Sequence, residues 1–428
     1  MIDSVRGDAT GLEIPAHVEA LRIAGTDFLT LAFRSFGSLT ADNRVARITR
    51  FEPCAGGSTG QKLLLSVEYE TADETLDSEL FVKFSRDFTD PIRDLQRHEM
   101  QSEIRLGALS RHPAFPITVP TTYFGDFHGP SETGLLITSR VRYGEGEVEP
   151  QRPKCMDHEA GDPLEYYRTI IVAIARIVAA HKSGRLSPEV EQTFPFDAQL
   201  AMSEDRIPYD ENQLRAKFAG FADLAAQAPQ LFPASIIAPD FIARVSDESV
   251  RFIAHETAIK RFLHADPDYI ALCHWNANID NAWFWRDAAG VLQCGLLDWG
   301  RVRQLNLAYA IWGCMLAAPQ YLWDDHLDEL LTLFAHEVHA GGGPKLEVGT
   351  LRLHLDLYVA VMGLATAAVA PERILFRLPE AIYASGPLDP IFQKSTQARN
   401  FLQIYTNFLN LWQTHDFGAS LDRMLAQQ

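Results

Sequence analysis

Two neighbouring segments carry side chains whose types suit metal binding. "CHWNANIDN" (273–281) ends at Asn281, and "GLLDWG" (295–300) contains Asp298, which follows an apolar run typical of a strand. Carboxylate and amide oxygens are ligands that Mg²⁺ accepts. A hairpin between the two segments would turn both side chains toward one cleft. The spacing therefore predicts a metal-binding pair, and the alternative is that Asp298 caps a turn while Asn281 belongs to an ordinary loop.

A lysine interrupts an otherwise apolar strand. In "LFVKF" (80–84) Lys83 is flanked by apolar residues, and a buried lysine needs a partner to keep its charge. Glu103, in the helical segment "SEIRLGAL", is the predicted partner, and Glu99 is the second choice. If Lys83 instead faces solvent on a half-exposed strand, no partner is needed.

The glycine-rich segment "AGGSTG" (55–60) lies between two predicted strands. Glycine has no Cβ, so this backbone would approach phosphate groups closely. Lys62 is a further candidate for a phosphate contact. The alternative is an ordinary glycine-rich hairpin. The predicted contacts in the segment are Gly56, Gly57, Ser58, Thr59 and Gly60.

The order of these segments resembles the protein-kinase layout, in which H-x-D-x-x-x-x-N precedes a D-F-G triplet. More specifically, the chain resembles the aminoglycoside phosphotransferase and choline kinase superfamily, and within it the ecdysteroid kinase-like branch. This resemblance covers roughly residues 50 to 300. It implies ATP, Mg²⁺ and transfer of the γ-phosphate to the hydroxyl of a small molecule. The matching segments are "AGGSTG", "FVKF", "SEIRLGAL", "LLITSRV", "HWNANIDN" and "LLDWG".

The resemblance also implies roles for individual residues. Lys83 would contact the phosphates while paired with the helix glutamate, and His274 would brace the catalytic loop. Backbone groups near Ser139 and Val141, at the end of "LLITSRV", would bond an adenine edge at the hinge between lobes. Some members of the superfamily use an acidic pocket for cationic substrates.

The departure from the family pattern is Asn276, which occupies the position of the catalytic aspartate, beside Trp275 instead of glycine. An asparagine cannot accept a proton, and losing a general base costs about 10²- to 10⁴-fold in rate. Positioning and metal electrostatics contribute more in a loose transition state. Asp280 is the alternative group for orienting the acceptor. Both a slow kinase and a catalytically impaired pseudokinase that binds a nucleotide or a metabolite fit, whereas nucleotidyl transfer has no positive support.

The elements that must position these residues predict an α+β fold with two lobes, and the resemblance implies that this fold is protein-kinase-like. Residues 1–140 would form an N-lobe with two N-terminal helices, an antiparallel sheet, the glycine-rich loop and the lysine strand. Residues 141–428 would form a mainly helical C-lobe. In it, "NAWFWRDAAGVLQCGLLDWG" is a hairpin that joins the catalytic loop to the metal site.

Composition limits the partners. The formal net charge of −18 argues against nucleic acid and anionic membranes, and suits a cationic ligand or solubility alone. Five scattered cysteines, without C-x-x-C, favour a reducing cytoplasm. We expect neither a signal peptide nor a membrane span.

The acceptor would be a cationic or bulky apolar molecule if the aromatic segments 283–285, 321–326 and 408–417 line its pocket. The alternative is that these segments belong to an aromatic core. The oligomeric state stays open.

Overall fold

The computed structural model describes residues 2–54, 57 and 59–427 of the 428-residue chain. Its strands lie in the first 140 residues and around the predicted catalytic hairpin, and helices make up most of the remainder. The strands in the described residues are β1 (Ser4–Arg6), β2 (Glu13–Pro15), β3 (Val45–Pro53), β4 (Lys62–Tyr69), β5 (Glu79–Phe84), β6 (Thr122–His128), β7 (Thr133–Ser139), β8 (Ile270–Cys273), β9 (Ala282–Arg286), β10 (Leu292–Leu296) and β11 (Arg303–Asn306).

The helices alternate with short 3₁₀ turns after residue 157. In the described residues they are α1 (Val18–Phe36), α2 (Pro91–Asp94), α3 (Met100–Leu109), α4 (Pro163–Lys182), α5 (Val190–Thr193), α6 (Ala198–Ser203), α7 (Glu211–Gln227), α8 (Ala234–Ile237), α9 (Pro239–Leu263), α10 (Leu307–Met315), α11 (Gln320–Asp325), α12 (Leu327–Ala340), α13 (Val348–Met362), α14 (Ala370–Arg377), α15 (Thr396–His415) and α16 (Phe417–Leu425).

A five-stranded antiparallel sheet dominates the N-terminal part, with the strand order β3-β4-β5-β7-β6. Because side chains alternate between the two faces of a strand, Leu80 and Val82 of β5 point into one apolar cluster with α1. Leu136 of β7 points to the opposite face, where it packs with Met100 and Ile104 of α3. The sheet is therefore covered by α1 on one side and by α3 on the other.

Helix α1 differs from the sequence prediction for this segment. The sequence predicts two short helices, and the structure has a single element, Val18–Phe36, that is interrupted at Gly25. The backbone there has φ 60° and ψ −152°, which only glycine adopts readily. The two predicted helices thus exist as segments on either side of a kink.

The C-terminal part is built around α4, which packs against α12, α10 and the strands β8 and β10. Strand β8 pairs antiparallel with β11, and β9 pairs antiparallel with β10. These two ladders frame residues 274–281, because β8 leads into that segment and β9 leaves it. The backbone of the predicted catalytic loop is thereby held at both ends.

The predicted fold class is confirmed, since an antiparallel sheet with its helix precedes a mostly helical part in an α+β, kinase-like arrangement. Several elements are absent from the sequence predictions, among them α9, which is the longest helix described, and the β8–β11 ladder. The boundary between residues 140 and 141 stays a prediction. The turns at Gly144 and Gly146, both with positive φ, follow it in the chain.

Helix α13 and the turn after it form a stretch, Val348–Ala367, that is long and apolar enough to cross a membrane by length and composition. The sequence predicts no membrane span, since charged residues interrupt this stretch. In the fold, 72% of its most apolar window is buried inside the protein. Its apolar character is accounted for by packing against α10, α9 and α15.

Candidate active site

Lys83 lies on the α3 face of the sheet because the alternation of β5 turns Val82 and Phe84 to the other face. Its Nζ donates to Glu103 Oε1 at 2.6 Å. The two side chains are only 15% and 11% exposed. Burial by itself would lower the pKa of Lys83, but the charges of Glu103 and Asp298 outweigh it and raise that pKa. The ammonium is therefore a fixed positive charge near the end of the central strand of the sheet.

Glu99, the second choice as partner of Lys83, has a different role. Its Oε1 accepts from Nε of Arg301 at 2.8 Å. Arg301 follows the "LLDWG" segment and also lies over the Trp275 ring, 5.0 Å from its centroid. The two glutamates, one helical turn apart, thus bind different cations, and the Glu99 pair ties the start of α3 to the helical part.

Asp298 reaches across from the helical part to the sheet, with its Oδ1 3.3 Å from Lys83 Nζ. Its side chain is 47% exposed, so part of the carboxylate is open to solvent. The positive charge of Lys83 lowers the pKa of Asp298. The backbone at this residue has φ +66°, an unusual conformation for a residue other than glycine. Such a conformation is maintained only where the surrounding structure enforces it.

Asn281 lies beside Asp298 because of the hairpin register. Ala282 of β9 is opposite Leu296 of β10, and the next backbone contact joins Leu297 N–H to Asn281 O at 3.0 Å. The Asn281 Nδ2 donates to Asn276 O at 2.9 Å, which leaves its amide oxygen for another partner. An amide oxygen and a carboxylate thus lie on adjacent chain segments, as the sequence predicts.

These two oxygens suit Mg²⁺, which keeps several water or phosphate ligands and needs few from the protein. No group of three or more His, Cys, Asp and Glu side chains able to hold a metal occurs among the described residues. The donor set of Asn281 and Asp298 fits a metal that is shared with phosphate groups.

His274 is the brace between the two segments. Its Nδ1 accepts the Asn276 N–H at 3.1 Å, and its Nε2 lies 2.9 Å from the carbonyl oxygen of Leu297. A carbonyl can only accept, so the ring is neutral and carries its proton on Nε2. Burial lowers the pKa of His274 to about 4, which agrees with this state. The ring also packs on Trp299, with centroids 4.1 Å apart. Both nitrogens are occupied, so His274 positions the loop and exchanges no proton.

Asn276 is half-buried, and neighbouring amides engage it. Its Oδ1 accepts from Asn278 Nδ2, and its main-chain oxygen accepts from Asn281. The Oδ1 of Asn278 is buried without a hydrogen-bond partner in the described residues. Asn276, at the position expected for a catalytic aspartate, is therefore part of a network of asparagines. The Nδ2 of Asn276 is the polar group left to contact an acceptor.

Asp280 turns toward the segment that follows the hinge. Its Oδ1 lies 3.7 Å from Lys154 Nζ and has no hydrogen-bond partner among the described residues. Burial raises the pKa of Asp280, and the charge of Lys154 opposes that rise. Asp157, also buried with an unpaired Oδ1, has a pKa raised to about 7, chiefly by burial. Asp280 is thus engaged by a lysine, unlike Asn276.

The glycine-rich loop is described in part, and the predictions for Gly56 and Ser58 lie outside the described residues. Gly60 has φ +52°, and a Cβ there would lie 1.8 Å from the Phe84 carbonyl oxygen. The Arg93 guanidinium donates to the Gly60 carbonyl oxygen at 2.6 Å. The end of the loop is therefore fastened close to the end of β5, whose residue Lys83 precedes Phe84.

Gly57 and Thr59 lie over Lys62. The Lys62 Nζ donates to the Thr59 carbonyl oxygen, and a Cβ on Gly57, which has φ +64°, would lie 2.8 Å from that nitrogen. A larger residue at Gly57 would occupy this space. The sequence indicates Lys62 only as a further candidate for a phosphate contact. Its position opposite Lys83 follows from the pairing of β4 with β5, which the sequence does not show.

The hinge residues differ from one another. The Ser139 N–H donates to Thr121 O at 2.8 Å, and the Ser139 hydroxyl accepts from Thr121 N–H. These donors and acceptors belong to the sheet and do not contact an adenine edge. The N–H and C=O of Val141 have no hydrogen-bond partner within the part of the chain that the structure describes. Of the two predicted hinge contacts, Val141 is the one whose main-chain N–H and C=O remain to bond an adenine edge.

The aromatic-rich segments belong mainly to the core. Trp323 and Trp412 are 1% and 0% exposed, and Phe284 is 3% exposed. Tyr321, by contrast, is 40% exposed. The alternative of an aromatic core therefore describes these segments, and they do not identify an acceptor pocket.

No protein-family model matches the chain, and no curated protein matches it. Among solved structures, the chain is similar to a choline/ethanolamine kinase family protein from Mesorhizobium loti (13% identity, TM-score 0.42, 92% of this chain and 98% of that one). It is also similar to an ethanolamine kinase from Plasmodium vivax (14%, 0.40, 84% and 81%). A third is a spectinomycin phosphotransferase in complex with ADP and spectinomycin (10%, 0.41, 86% and 94%). Because these TM-scores are below 0.5, the assignment of fold rests on the chain's own elements and contacts.

Proposed function

We propose that this chain is an ATP-dependent phosphotransferase of the aminoglycoside phosphotransferase and choline kinase superfamily, acting on a hydroxyl of a small molecule. The observation that carries this proposal is the convergence of Lys83, Glu103 and Asp298 near the end of the central strand of the sheet. A lysine held by a helix glutamate and a carboxylate at the end of a hairpin are the groups that phosphoryl transfer needs for phosphates and metal.

On the nucleotide side, each residue has a distinct task. Lys83 presents its charge to the phosphates from a position that Glu103 fixes. Asn281 and Asp298 supply oxygens for Mg²⁺, which when bound neutralises charge on the phosphates. The N–H and C=O of Val141, which have no partner among the described residues, follow β7 in the chain, where an adenine edge would approach.

On the acceptor side, Asn276 would orient the hydroxyl by hydrogen bonding without taking its proton. His274 keeps the loop in place through its contacts with Asn276 and Leu297. Positioning and electrostatics supply most of the rate in phosphoryl transfer, so we expect activity to persist without a base at position 276. Because the base is missing, we expect that activity to be slow. Asp280 is held by Lys154, so we assign it no direct contact with the acceptor in this arrangement.

The test is incubation of the protein with Mg-ATP and a panel of amino alcohols, sugars and sterols, with ADP formation as the readout. Asp298→Asn, prepared in parallel, measures contaminating activity because it removes the metal carboxylate. ADP formation that requires an acceptor and is lost in the variant supports the proposal. Measurable ATP binding with no ADP formed from any acceptor contradicts it.

A second candidate function is a nucleotide-binding pseudokinase. The observation that favours it is the engagement of Asn276 Oδ1 by Asn278, which makes the catalytic position a structural amide. This candidate predicts ATP affinity equal to that of an active kinase with no turnover. Comparison of the wild type with Asn276→Asp separates the two candidates, because the aspartate would raise an existing activity in a slow kinase and would create activity from nothing in a pseudokinase.

A further inference from the structure

Lys62 and Lys83 occupy directly opposed positions on neighbouring strands. Strand β4 pairs with β5 so that Lys62 is opposite Lys83 and Leu63 is opposite Val82. Leu63 and Val82 point into the cluster beneath α1, so both lysines point to the α3 face. Like charges in such cross-strand pairs are destabilising. The sheet therefore holds two ammonium groups together at a cost to its own stability.

Lys62 is the less compensated of the two lysines. The residue is 9% exposed, and its Nζ donates to the Thr59 carbonyl oxygen. No carboxylate lies within 4.0 Å of that nitrogen in the described residues, whereas Lys83 has both Glu103 and Asp298. Burial lowers the pKa of Lys62 to about 8, and repulsion by Lys83 and Arg93 adds to the effect. A buried cation of this kind calls for an anion.

The charge balance of the site explains why one lysine is not enough. Lys83 carries one positive charge, while Glu103 and Asp298 carry two negative charges, so these three groups together repel an anion. Adding the ammonium of Lys62 brings the sum to zero before any metal binds. Lys62 therefore removes the electrostatic barrier that the carboxylates would otherwise present to a polyphosphate.

The loop beside Lys62 presents main chain to the ammonium group. Gly57 lies so close that a Cβ would be 2.8 Å from Lys62 Nζ, and its φ of +64° favours glycine. Gly60 closes the loop against Phe84 in the same way. The main chain at Gly57 and the Thr59 carbonyl oxygen thus face Lys62.

We propose that Lys62 is a second phosphate-binding lysine, which contacts the phosphates of the bound nucleotide together with Lys83. This inference rests on the proposed function for the identity of the ligand. The chemistry it requires is more general, namely an extended polyphosphate anion that bridges two ammonium groups beneath a glycine-rich backbone. A charge-assisted contact of this type changes affinity by about tenfold to a hundredfold.

The experiment uses inorganic tripolyphosphate without Mg²⁺ as the probe and thermal denaturation of the full chain as the readout. Lys62→Met removes the ammonium and keeps an apolar chain of similar length. Arg47→Met is the matched control, since it removes a cation from the same sheet at a side chain that is 68% exposed. We expect tripolyphosphate to stabilise the wild type and Arg47→Met, and to bind Lys62→Met at least tenfold more weakly.

The melting temperature without ligand separates phosphate binding from a structural role. Removal of an uncompensated buried cation should leave that temperature unchanged or raise it, whereas loss of a lysine that holds the loop in place should lower it. Lys62→Arg, which keeps the charge, should retain most of the tripolyphosphate affinity. The inference is overturned if Lys62→Met binds tripolyphosphate as the wild type does, or if the folded wild type does not bind it at all.

Failure of this inference and failure of the proposed function are distinguishable. Tripolyphosphate binding needs no acceptor and no turnover. Loss of binding in Lys62→Met with no ADP formation in the wild type would keep the phosphate site and remove the phosphotransferase. ADP formation by the wild type, together with full tripolyphosphate binding by Lys62→Met, would keep the phosphotransferase and remove the role of Lys62.

Discussion

Lys83 Nζ and Asp298 Oδ1 lie 3.3 Å apart, although 215 positions separate the two residues in the chain. Their contact joins the central strand of the sheet to the end of the β9–β10 hairpin. Together with the Glu99–Arg301 pair, it brings the sheet and the helical part to a common edge. The consequence is that the lysine proposed to bind phosphates and the carboxylate proposed to bind the metal are in direct contact.

The two glutamates of the α3 region offer a matched comparison. Glu103→Gln should lower turnover by about 100-fold, because Lys83 loses the partner that fixes its position. Glu99→Gln should have a much smaller effect, since its partner Arg301 is 41% exposed and exposed ion pairs contribute little. Steady-state rates of ADP formation measure both. Equal losses in the two variants would contradict the assignment of Glu103.

Asn276→Asp should raise turnover, because it restores a proton acceptor at the position that His274 and Asn281 hold in place. The expected gain is about 10²- to 10⁴-fold, the usual contribution of a general base. An aspartate oxygen accepts from Asn278 Nδ2 as the amide does, so the loop should keep its shape. Asn278→Asp, which puts a carboxylate at a fully buried neighbour, is the control and should give no gain. A fall in an existing activity in Asn276→Asp would show that the asparagine is the working group.

A glycine in α10 sets how closely that helix approaches the catalytic loop. A Cβ on Gly313 would lie 1.4 Å from the Trp275 carbonyl oxygen, so Gly313→Ala must displace the loop. We expect a destabilisation of about 1–3 kcal/mol and a loss of turnover. Gly220, in the exposed face of α7, has nothing within 4 Å of the position that a Cβ would take, and Gly220→Ala should stabilise by about 0.5–1 kcal/mol. Urea denaturation measures both changes, and similar values for the two variants would refute the close approach.

The stability of the protein should depend on pH through Lys62. With a pKa lowered from 10.5 to about 8, Lys62 is deprotonated in the folded state and protonated in the unfolded state between these pH values. The unfolded chain then binds more protons, so stability rises with pH in this range. The effect is about 3 kcal/mol at most.

The measurement is the difference in melting temperature between Lys62→Met and the wild type. It should be largest near pH 7 and shrink as the pH approaches 10.5, where the wild-type lysine loses its charge even in the unfolded state. Arg47→Met should show a difference that stays constant, because arginine keeps its proton throughout. A constant difference for Lys62→Met would mean that Lys62 is not a buried, uncompensated cation.

Local sequence pattern was sufficient for the parts of the site that depend on alternation and order. Lys83 is placed by the two-residue period of β5, and Asn281 and Asp298 are placed by the hairpin between them. Glu103 follows from helical spacing, which leaves Glu99 one turn away. Each of these inferences uses interactions within about 20 residues of chain, where backbone geometry restricts the outcome.

The remaining features depend on contacts that local pattern does not contain. The pairing of Glu99 with Arg301 joins positions 202 residues apart. The burial of Lys62 depends on the loop folding back over β4, and the use of the Ser139 backbone depends on Thr121 in the neighbouring chain segment. The asparagine network around Asn276 depends on side-chain orientation inside one turn. These properties depend on strand pairing and loop conformation, which the three-dimensional structure shows and the local sequence pattern does not.

The most direct test of the proposed nucleotide site is the Mg²⁺ dependence of ATP binding, measured by titration calorimetry on the wild type and Asp298→Asn. Asparagine tolerates the positive φ at this position, so the variant should fold. We predict that the wild type binds ATP, that Mg²⁺ strengthens this binding, and that the strengthening is lost in the variant. A folded wild type that binds no ATP at millimolar concentration, or a variant with unchanged Mg²⁺ dependence, would contradict the proposed site.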